Sequence, residues 1–473
     1  MQENTVKQGE ERPFGIWDKI GYMFGDFGND FSFIFAGTYL MVFYTKVLGI
    51  SGAAVGTLFL AARVVDAFTD VTMGRIVDNM RPSKNGRFRP WIRWMCVPVA
   101  VASTVMYLYF AQGWSYGVKM TYIVITYLLW GSFCYTAINI PYGSMASVIS
   151  ADAGERASLS TFRSVGASLA SLIIGTLVPL FVYGEDEAGN QIVYPMRLTV
   201  IAVIFGVCAV ICYLLCYSLC KERVFFEPKK KEQKGSAREL IGSLFRNRPL
   251  MALVLAALVL LLATLIGQTM NNYLFLDYFR NAKAISILNF VSVGGVLCLA
   301  PFVSKLVGKF GKKEAGAVGM LLAGALYVLT YFLHVKSIVL FMVLFFLATL
   351  GVGIFNMIIW AFITDIIDYQ EVVTGKREDG TVYAIYSFAR KLGQALAGGV
   401  GGFALTAIGY VSEAPVQTAK VANRVYAVAT LVPGVCYLIV FFIMQIFYPL
   451  TKRVVEDNAA ILRERREQVA EKE

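Results

Sequence analysis

Apolar stretches recur along this chain from near residue 20 to residue 449, separated by polar connections. A helix of roughly 20 apolar residues crosses the ~30 Å hydrocarbon core of a bilayer. Because lipid offers no hydrogen-bond partner to backbone N–H and C=O groups, a helix is the structure that such stretches favour. The pattern predicts an all-α membrane protein with twelve transmembrane helices. The predicted spans are 20–46, 51–77, 92–112, 119–142, 158–183, 197–219, 249–277, 284–306, 315–334, 337–363, 382–409 and 424–449.

The net charge of +11 has a topological explanation. Nine Lys and Arg residues lie between Lys221 and Arg248, and further basic clusters follow the second, eighth, tenth and last predicted spans, whereas Gly184 to Tyr194 has none. Since cytoplasmic loops are enriched in Lys and Arg, we expect both termini and the 221–248 loop on the cytoplasmic side of the cell membrane. The basic charge is therefore no indication of a nucleic-acid partner.

The basic 221–248 segment separates six predicted spans from six others. We predict a six-helix half at 1–220, a central cytoplasmic loop at 221–248, a second six-helix half at 249–450, and a cytoplasmic tail at 451–473 that forms a charged helix. A short internal echo supports two related halves, because Gly and basic residues recur at 86–89 after the second span and at 308–313 after the eighth. Two joined halves are typical of transporters that work by alternating access.

Ionisable residues occur within several predicted spans, where each costs several kcal/mol unless it faces a cavity or a partner. They are Asp26, Asp30, Arg63, Asp66, Asp70, Arg163, Asp365, Asp368, Arg390 and Lys391. Intramembrane charges of this kind indicate function by default, here the handling of a polar solute. The alternative is a static network in which carboxylates and basic residues only lock helices together.

Asp66 and Asp70 are four residues apart, so a helix places their carboxylates on one face about 6 Å apart. Two carboxylates at that distance repel strongly in a low dielectric. One proton or one hard cation would relieve the repulsion, and oxygen ligands suit hard cations. Thr69 beside them could supply a further oxygen for Na⁺, whereas a proton needs only the carboxylates. In the fourth span, Thr136 and Asn139 precede Pro141 and could bind either a neighbouring helix or a solute hydroxyl.

Catalytic chemistry has little support in the sequence. The chain has one histidine, His334, and four of its eight cysteines follow one another at four-residue intervals from Cys208 to Cys220. Small apolar residues on one helix face explain that spacing better than a metal site does. With no metal-ligand cluster and no nucleophile motif, we predict neither an enzyme nor a bound cofactor. A non-transporting membrane sensor is a further alternative.

Six motifs occur in an order that is typical of one family. They are Lys19-Ile20-Gly21-Tyr22, Gly25-Asp26, Ala62-Arg63-Val64-Val65-Asp66-Ala67-Phe68-Thr69-Asp70, Gly86-Arg87-Phe88-Arg89-Pro90-Trp91, Asn139-Ile140-Pro141-Tyr142-Gly143 and Asp365-Ile366-Ile367-Asp368-Tyr369. Over nearly its whole length the chain resembles the glycoside–pentoside–hexuronide:cation symporters. The resemblance implies the major facilitator fold and sugar uptake coupled to Na⁺ or H⁺.

The resemblance also implies roles for individual residues. Two sets of positions match the melibiose carriers of that family: a cation site at Asp66, Asp70 and Thr136, and sugar-site positions at Asp30, Arg163 and Lys391. Two departures disfavour a melibiose-like galactoside, because Asn139 replaces an aspartate that holds galactosyl hydroxyls and Gly143 replaces a tryptophan that stacks on the sugar.

The second half is closer to the glucuronide carriers, and its adjacent Arg390 and Lys391 suit a uronate carboxylate, which Arg can grip through two hydrogen bonds. Adjacent helix residues do not share a face, so we expect Lys391 in the central site with Arg390 nearby. Asp30 argues against a uronate. A further carboxylate in the site disfavours an anionic substrate, unless Asp30 is ion-paired or hydrogen-bonded to hydroxyls.

The resulting hypothesis is a monomeric, cation-coupled symporter that lies among membrane lipids and imports a glycoside, with a glucuronide-like sugar preferred over a neutral galactoside, xyloside or other pentoside. The predicted cation ligands are Asp66, Asp70, Thr136 and Thr69. The predicted sugar-site residues are Asp26, Asp30, Asn139, Tyr142, Arg163, Arg390 and Lys391.

Overall fold

The computed structural model describes residues 12–80, 83, 85–150, 152–187, 190–224, 247–375, 379–412, 414 and 416–470. These residues are almost entirely helical and include one two-stranded hairpin. Most of the predicted central loop, residues 225–246, lies outside them.

The described residues up to Val224 form α1 (Ile16–Val42), α2 (Gly52–Asn79), α3 (Arg89–Val105), α4 (Tyr116–Leu128), α5 (Thr136–Ile149), α6 (Ala153–Val182), β1 (Tyr183–Glu185), β2 (Gln191–Val193) and α7 (Pro195–Leu219). A π-helical turn, Phe43–Val47, extends α1, and the π-helical segment Leu129–Tyr135 joins α4 directly to α5. A short 3-10 helix, Tyr109–Gly113, follows α3. The antiparallel strands place Gly184 opposite Ile192.

The described residues after Asn247 form α8 (Arg248–Tyr273), α9 (Ala284–Phe310), α10 (Lys312–Leu333), α11 (Ile338–Thr374), α12 (Asp379–Ala407), α13 (Ala419–Phe442) and α14 (Lys452–Ala470). The π-helical turns Leu274–Tyr278 and Ile443–Phe447 extend α8 and α13. The charged helix expected in the tail is α14.

Local sequence signals explain where many of these helices begin. A capping side chain accepts a hydrogen bond from a first-turn N–H in α2, α6, α8, α11 and α13, and the caps are Ser51, Asp152, Asn247, Ser337 and Thr418. Proline, which has no N–H to leave unsatisfied, occupies the first turn of α3, α7 and α8. Both devices satisfy the free donors at a helix N-terminus.

The chain divides into two compact units. Unit 1 comprises Met1–Glu232, Arg280–Ser286 and Leu405–Gln417, and unit 2 comprises Gln233–Phe279, Ile287–Ala404 and Thr418–Glu473. Within unit 1, α1 packs against α6 and α7, and α3 packs against α7. Within unit 2, α10 packs against α11 and α13. The domain limits predicted from the sequence stay a prediction.

Among the described residues, nine helices are long and apolar enough to span a membrane, and each coincides with a predicted span. Helices are also present at the other three predicted spans, as α1, α9 and α12. These three helices are not among the nine that are long and apolar enough. Helix α1 carries four charged residues, Asp18, Lys19, Asp26 and Asp30. The all-α, multi-pass membrane architecture is confirmed, whereas the count of twelve stays a prediction.

Some of the basic residues that were assigned above to cytoplasmic loops also cap helix C-termini. Arg87 Nε donates to Val77 O near the end of α2 at 2.9 Å, and Arg89 Nη2 donates to Tyr217 O near the end of α7 at 2.7 Å. In unit 2, Lys452 Nζ donates to Gly308 O near the end of α9 at 2.8 Å. Cations are stabilising at helix C-termini, where free carbonyls carry partial negative charge.

Glu222 anchors the N-terminus of α3. Its buried carboxylate accepts hydrogen bonds from the backbone N–H groups of Arg87, Phe88 and Arg89 at 2.7, 2.8 and 2.7 Å. Gly86 makes this approach possible, because it has φ +100° and an added Cβ would lie 2.5 Å from the Glu222 carboxyl carbon. Gly311 of unit 2 has the same φ value of +100°, which is consistent with the echo between the two loops.

Candidate functional site

A cluster of charged side chains in unit 1 begins on α1. Asp26 and Asp30 lie one helical turn apart and are buried. Arg163 on α6 donates from Nε to Asp26 Oδ1 at 2.9 Å, and its guanidinium lies 5.3 Å from the centroid of the Tyr142 ring. The Arg163 side chain is 40% exposed, so part of this guanidinium is accessible. The structure therefore brings Asp26, Tyr142 and Arg163 together, and their role in sugar binding stays a prediction.

Asp30 has a different environment from Asp26. It is 8% exposed, and its carboxylate makes no hydrogen bond or ion pair within the part of the chain that the structure describes. A buried carboxylate without a partner is costly. Asp30 is thus a group in this cluster that can accept a hydrogen bond from a solute or take up a proton.

Asn29, which the sequence analysis missed, connects three helices. Its Nδ2 donates to Tyr135 Oη at 2.7 Å and to Asn139 Oδ1 at 3.3 Å, and its Oδ1 accepts from Tyr213 Oη on α7 at 3.1 Å. Asn139, predicted to bind either a helix or a solute, therefore holds a neighbouring helix through its carbonyl oxygen. The position of Asn29 next to Asp30 within an apolar span is the signal that could have identified it.

Tyr142 is held by packing on two sides. Its ring stacks on Tyr22 with centroids 4.7 Å apart, and its hydroxyl donates to Tyr22 O at 2.7 Å. Gly25 permits this contact, because an added Cβ would lie 2.2 Å from Tyr142 Cε2. The hydroxyl proton of Tyr142 is therefore engaged, and the group it offers next to the cluster is the ring on which Arg163 lies.

A second pair of carboxylates lies on α2. Asp66 Oδ2 accepts from Arg63 Nη1 at 3.2 Å, and Asp66 Oδ1 accepts from Ser132 Oγ at 2.6 Å. One turn later, Asp70 Oδ1 accepts from Thr136 Oγ1 at 2.9 Å. Thr136 is thus placed beside Asp70 as predicted, whereas Ser132 was not anticipated.

Thr69 is oriented differently from the predicted cation ligands beside it. Its hydroxyl lies 3.1 Å from Asp66 O and 3.3 Å from Val65 O, both main-chain carbonyls of its own helix. Such backbone bonding is usual for Thr within a helix. The side chain therefore donates to α2 itself and makes no hydrogen bond to either carboxylate within the described ranges.

The four carboxylates within the predicted spans of unit 1 differ in their charge partners. Asp26 and Asp66 each have an arginine partner. Asp30 and Asp70 have no ion-pair partner among the residues that the structure describes. Two of the four carboxylates therefore have no ion-pair partner in the described region, so a cation or a proton could bind there. The static network considered above stays an alternative, since the Lys391 side chain lies outside the described residues.

Unit 2 has charged residues of its own in and near its predicted spans. Lys312 Nζ on α10 lies 2.5 Å from Asp365 Oδ1 on α11. Arg390 lies half-buried on α12, and the Lys391 side chain lies outside the described residues. The predicted sugar contacts of Arg390 and Lys391 therefore stay predictions.

The cysteine stripe is part of the packing between helices. Cys212, Cys216 and Cys220 are buried and Cys208 is half-buried, all as free thiols. Cys216 Sγ lies where an added Cβ on Gly25 would approach it to 2.9 Å, so this face of α7 contacts α1. Within the described ranges, no group of three or more His, Cys, Asp or Glu side chains is placed to hold a metal ion.

Comparison with known proteins is consistent with this arrangement of helices and charges. The chain is 33% identical over 95% of its length to an uncharacterized symporter of Bacillus subtilis strain 168, YjmB, of which it covers 96%. It is 32% identical over 92% of its length to a glucuronide carrier protein homolog of Escherichia coli K12, again covering 92% of that protein.

The fold is shared with a solved transporter. The structure of a bacterial homolog of the human lysosomal transporter Spinster matches 94% of this chain and 99% of its own with a TM-score of 0.65, at 15% identity. A family model for sugar transport proteins of the major facilitator superfamily matches residues 21–452. The chain therefore belongs to the MFS/sugar transport protein family, whose members are membrane transporters and not enzymes.

Proposed function

We propose that this protein is a cation-coupled symporter that imports a glycoside by alternating access, with a glucuronide-like sugar as its preferred substrate. The observation that carries the proposal is that Asp30 and Asp70, two of the four carboxylates within the predicted spans of unit 1, have no ion-pair partner among the described residues. A Na⁺ ion or a proton bound at Asp66 and Asp70, assisted by Thr136, would neutralise negative charge there and so favour occupancy of the neighbouring sugar site.

The proposed sugar site is built around Asp26, Asp30, Asn139 and Arg163. Asp30 has no hydrogen-bond or ion-pair partner among the described residues, so its carboxylate could accept hydrogen bonds from sugar hydroxyls. Arg163 is held by Asp26 and lies over the Tyr142 ring, and its accessible edge suits the carboxylate of a uronate. The relative named as a glucuronide carrier homolog supports an anionic sugar. In unit 2, Arg390 and Lys391 are assigned to the same substrate from the sequence.

Coupling between the two ligands is reciprocal. A cation at Asp66 and Asp70 lowers the electrostatic cost of bringing an anionic sugar near four carboxylates, and the bound sugar raises the affinity for the cation by the same factor. Movement of the two predicted six-helix halves then exposes the loaded site on the other side of the membrane. Transport against a sugar gradient follows because neither ligand binds tightly without the other.

A neutral glycoside or pentoside is a second candidate substrate, and one observation favours it. Asp30 is buried without a partner in the described region, and a free carboxylate repels a uronate but binds the hydroxyls of a neutral sugar well. The substrate therefore depends on whether Asp30 is protonated or hydroxyl-bonded when the sugar is present.

The test is uptake into proteoliposomes of a labelled methyl β-D-glucuronide, a galactoside and a xyloside, with and without Na⁺ at two pH values. We expect glucuronide uptake that depends on a cation gradient. Uptake of a neutral glycoside with no glucuronide uptake would overturn the substrate assignment. Absence of any uptake by protein that stays folded would overturn transport and favour a membrane sensor.

We place the protein in the cell membrane as a monomer with both termini in the cytoplasm. The basic segments after Lys221 and in α14 support this orientation. Cysteine labelling from either side of intact cells tests the orientation, and labelling of both termini from outside would contradict it.

A further inference from the structure

We propose that a groove between α6 and α7 of unit 1 binds an anionic membrane phospholipid, whose phosphate lies on Arg197 and whose acyl chain lies along the apolar walls. The groove has a volume of about 630 Å³, within the roughly 300–1,000 Å³ of ligand-sized clefts. The residues proposed above for the cation and the sugar do not line it. The groove is therefore a separate surface of the protein, and its occupant does not depend on the proposed transport.

The walls of this groove consist of apolar side chains on the outer surface of two helices. Leu177 and Phe181 of α6 and Val200 and Ile204 of α7 line the groove and are exposed. Both helices are long and apolar enough to span a membrane, so an acyl chain is the partner that these walls meet in a bilayer. Lipid tails are as apolar as the walls, so the walls alone do not select one lipid over another. Selectivity depends on the polar end of the groove.

Within the part of the chain that the structure describes, Arg197 is the one charged residue that lines the groove, and it lies in the first turn of α7. Its guanidinium carbon lies 4.0 Å from the centroid of the Tyr194 ring, and its Nη1 donates to Phe181 O at 3.1 Å. These two contacts orient the guanidinium and use one of its five N–H donors. Arg197 forms no ion pair with any described residue. The remaining donors can therefore bind an external anion, and a phosphate accepts two of them in parallel.

The start of α7 adds positive potential at the same place. A helix N-terminus carries partial positive charge and attracts anions, yet the first turn of α7 contains no acidic residue and its N-cap, Tyr194, makes no side-chain capping bond. In the adjacent hairpin, Glu185 instead accepts from Gln191 Nε2 at 2.9 Å. Asp186 accepts from the backbone N–H of Asn190 at 2.8 Å. Because tyrosine favours the headgroup level of a bilayer, the guanidinium, the helix terminus and the Tyr194 ring together suit a lipid phosphate.

The experiment uses the full chain in proteoliposomes that contain photoactivatable phosphatidylglycerol or phosphatidylcholine, each with the same diazirine-bearing acyl chain. Cross-linked residues are identified by peptide mass spectrometry. The yield at the groove is normalised to the yield at Val339, an exposed apolar residue of α11. We expect phosphatidylglycerol to label the groove about fivefold more than phosphatidylcholine, which is the preference that one basic residue confers near a membrane surface.

Three variants test which residues bind the lipid. Arg197→Gln should bring the two lipids toward equal labelling of the groove. The control Lys336→Gln, which removes a cation from an exposed position before α11, should leave the preference unchanged. Val200→Trp adds bulk to one wall and should lower the yield with both lipids.

Equal labelling of the wild-type groove by the two lipids, or a preference that survives in Arg197→Gln, overturns the proposal. A groove without lipid cross-links, combined with an intermolecular disulfide in Val200→Cys that the wild type does not form, assigns this face to a second copy of the chain and also overturns it. The wild-type ratio and the Val200→Trp yields decide the question even if Arg197→Gln fails to fold. None of these readouts requires sugar uptake.

Discussion

Replacing Arg163 by glutamine tests whether its contact with Asp26 is structural, functional or both. The guanidinium donates to Asp26 at 2.9 Å, and Asp26 has no other side-chain hydrogen-bond partner among the described residues. Because Asp26 is buried and Asp30 lies one turn away, the Arg163→Gln variant leaves two neighbouring carboxylates without a cation. We expect lower stability and loss of transport.

The size of the stability loss follows from the geometry. Two unit charges 2.9 Å apart interact by about 6 kcal/mol at an effective dielectric constant of 20. The Arg163 side chain is 40% exposed, so solvent screens the pair and we reduce the figure to about 2 kcal/mol. A loss of that size lowers the thermal unfolding midpoint by a few degrees.

The assay combines thermal unfolding in detergent with proteoliposome uptake in a double-mutant cycle. Arg163→Gln and Asp26→Asn should each destabilise the protein, whereas the double variant removes both charges and should recover most of the lost midpoint. If Arg163 also contacts the substrate, the double variant regains stability but not uptake. Single variants with an unchanged midpoint, or a double variant no more stable than Arg163→Gln, would refute the reasoning.

Three further predictions concern separate contacts. Glu222→Ala should lower the unfolding midpoint by the equivalent of about 3 kcal/mol, because three backbone N–H groups lose a charged acceptor; the exposed Glu456→Ala is the matched control, and equal effects would contradict the anchor. Gly25→Ala should cost about 1–3 kcal/mol, because the added methyl group falls 2.2 Å from Tyr142 Cε2; a midpoint equal to that of the wild type counts against the close packing. Asp70→Asn should abolish sugar accumulation driven by a cation gradient, measured in proteoliposomes, and accumulation at the wild-type level would show that the cation binds elsewhere.

Features that depend on local periodicity could be predicted from the sequence. Twenty-residue apolar runs indicate helices regardless of partners, and four-residue spacing places Asp66 and Asp70 on one face of α2. The paired contact of Thr136 with Asp70 followed from the family resemblance. The prediction for Thr69 rested on its position beside the carboxylates and stays a prediction. The direction of its hydroxyl depends on rotation about a single bond, which the sequence does not specify.

The sequence by itself determined that this chain is a multi-helix membrane protein with carboxylates inside its spans, since hydrophobic length and charge placement are properties of consecutive residues. Only the tertiary structure decided which partner each charge has: Arg163 for Asp26 across 137 residues, Ser132 for Asp66 across 66, and none for Asp30 in the described region. Those contacts depend on how each helix is rotated about its axis and which neighbour it meets. Packing across the whole unit sets both, and no local pattern encodes them.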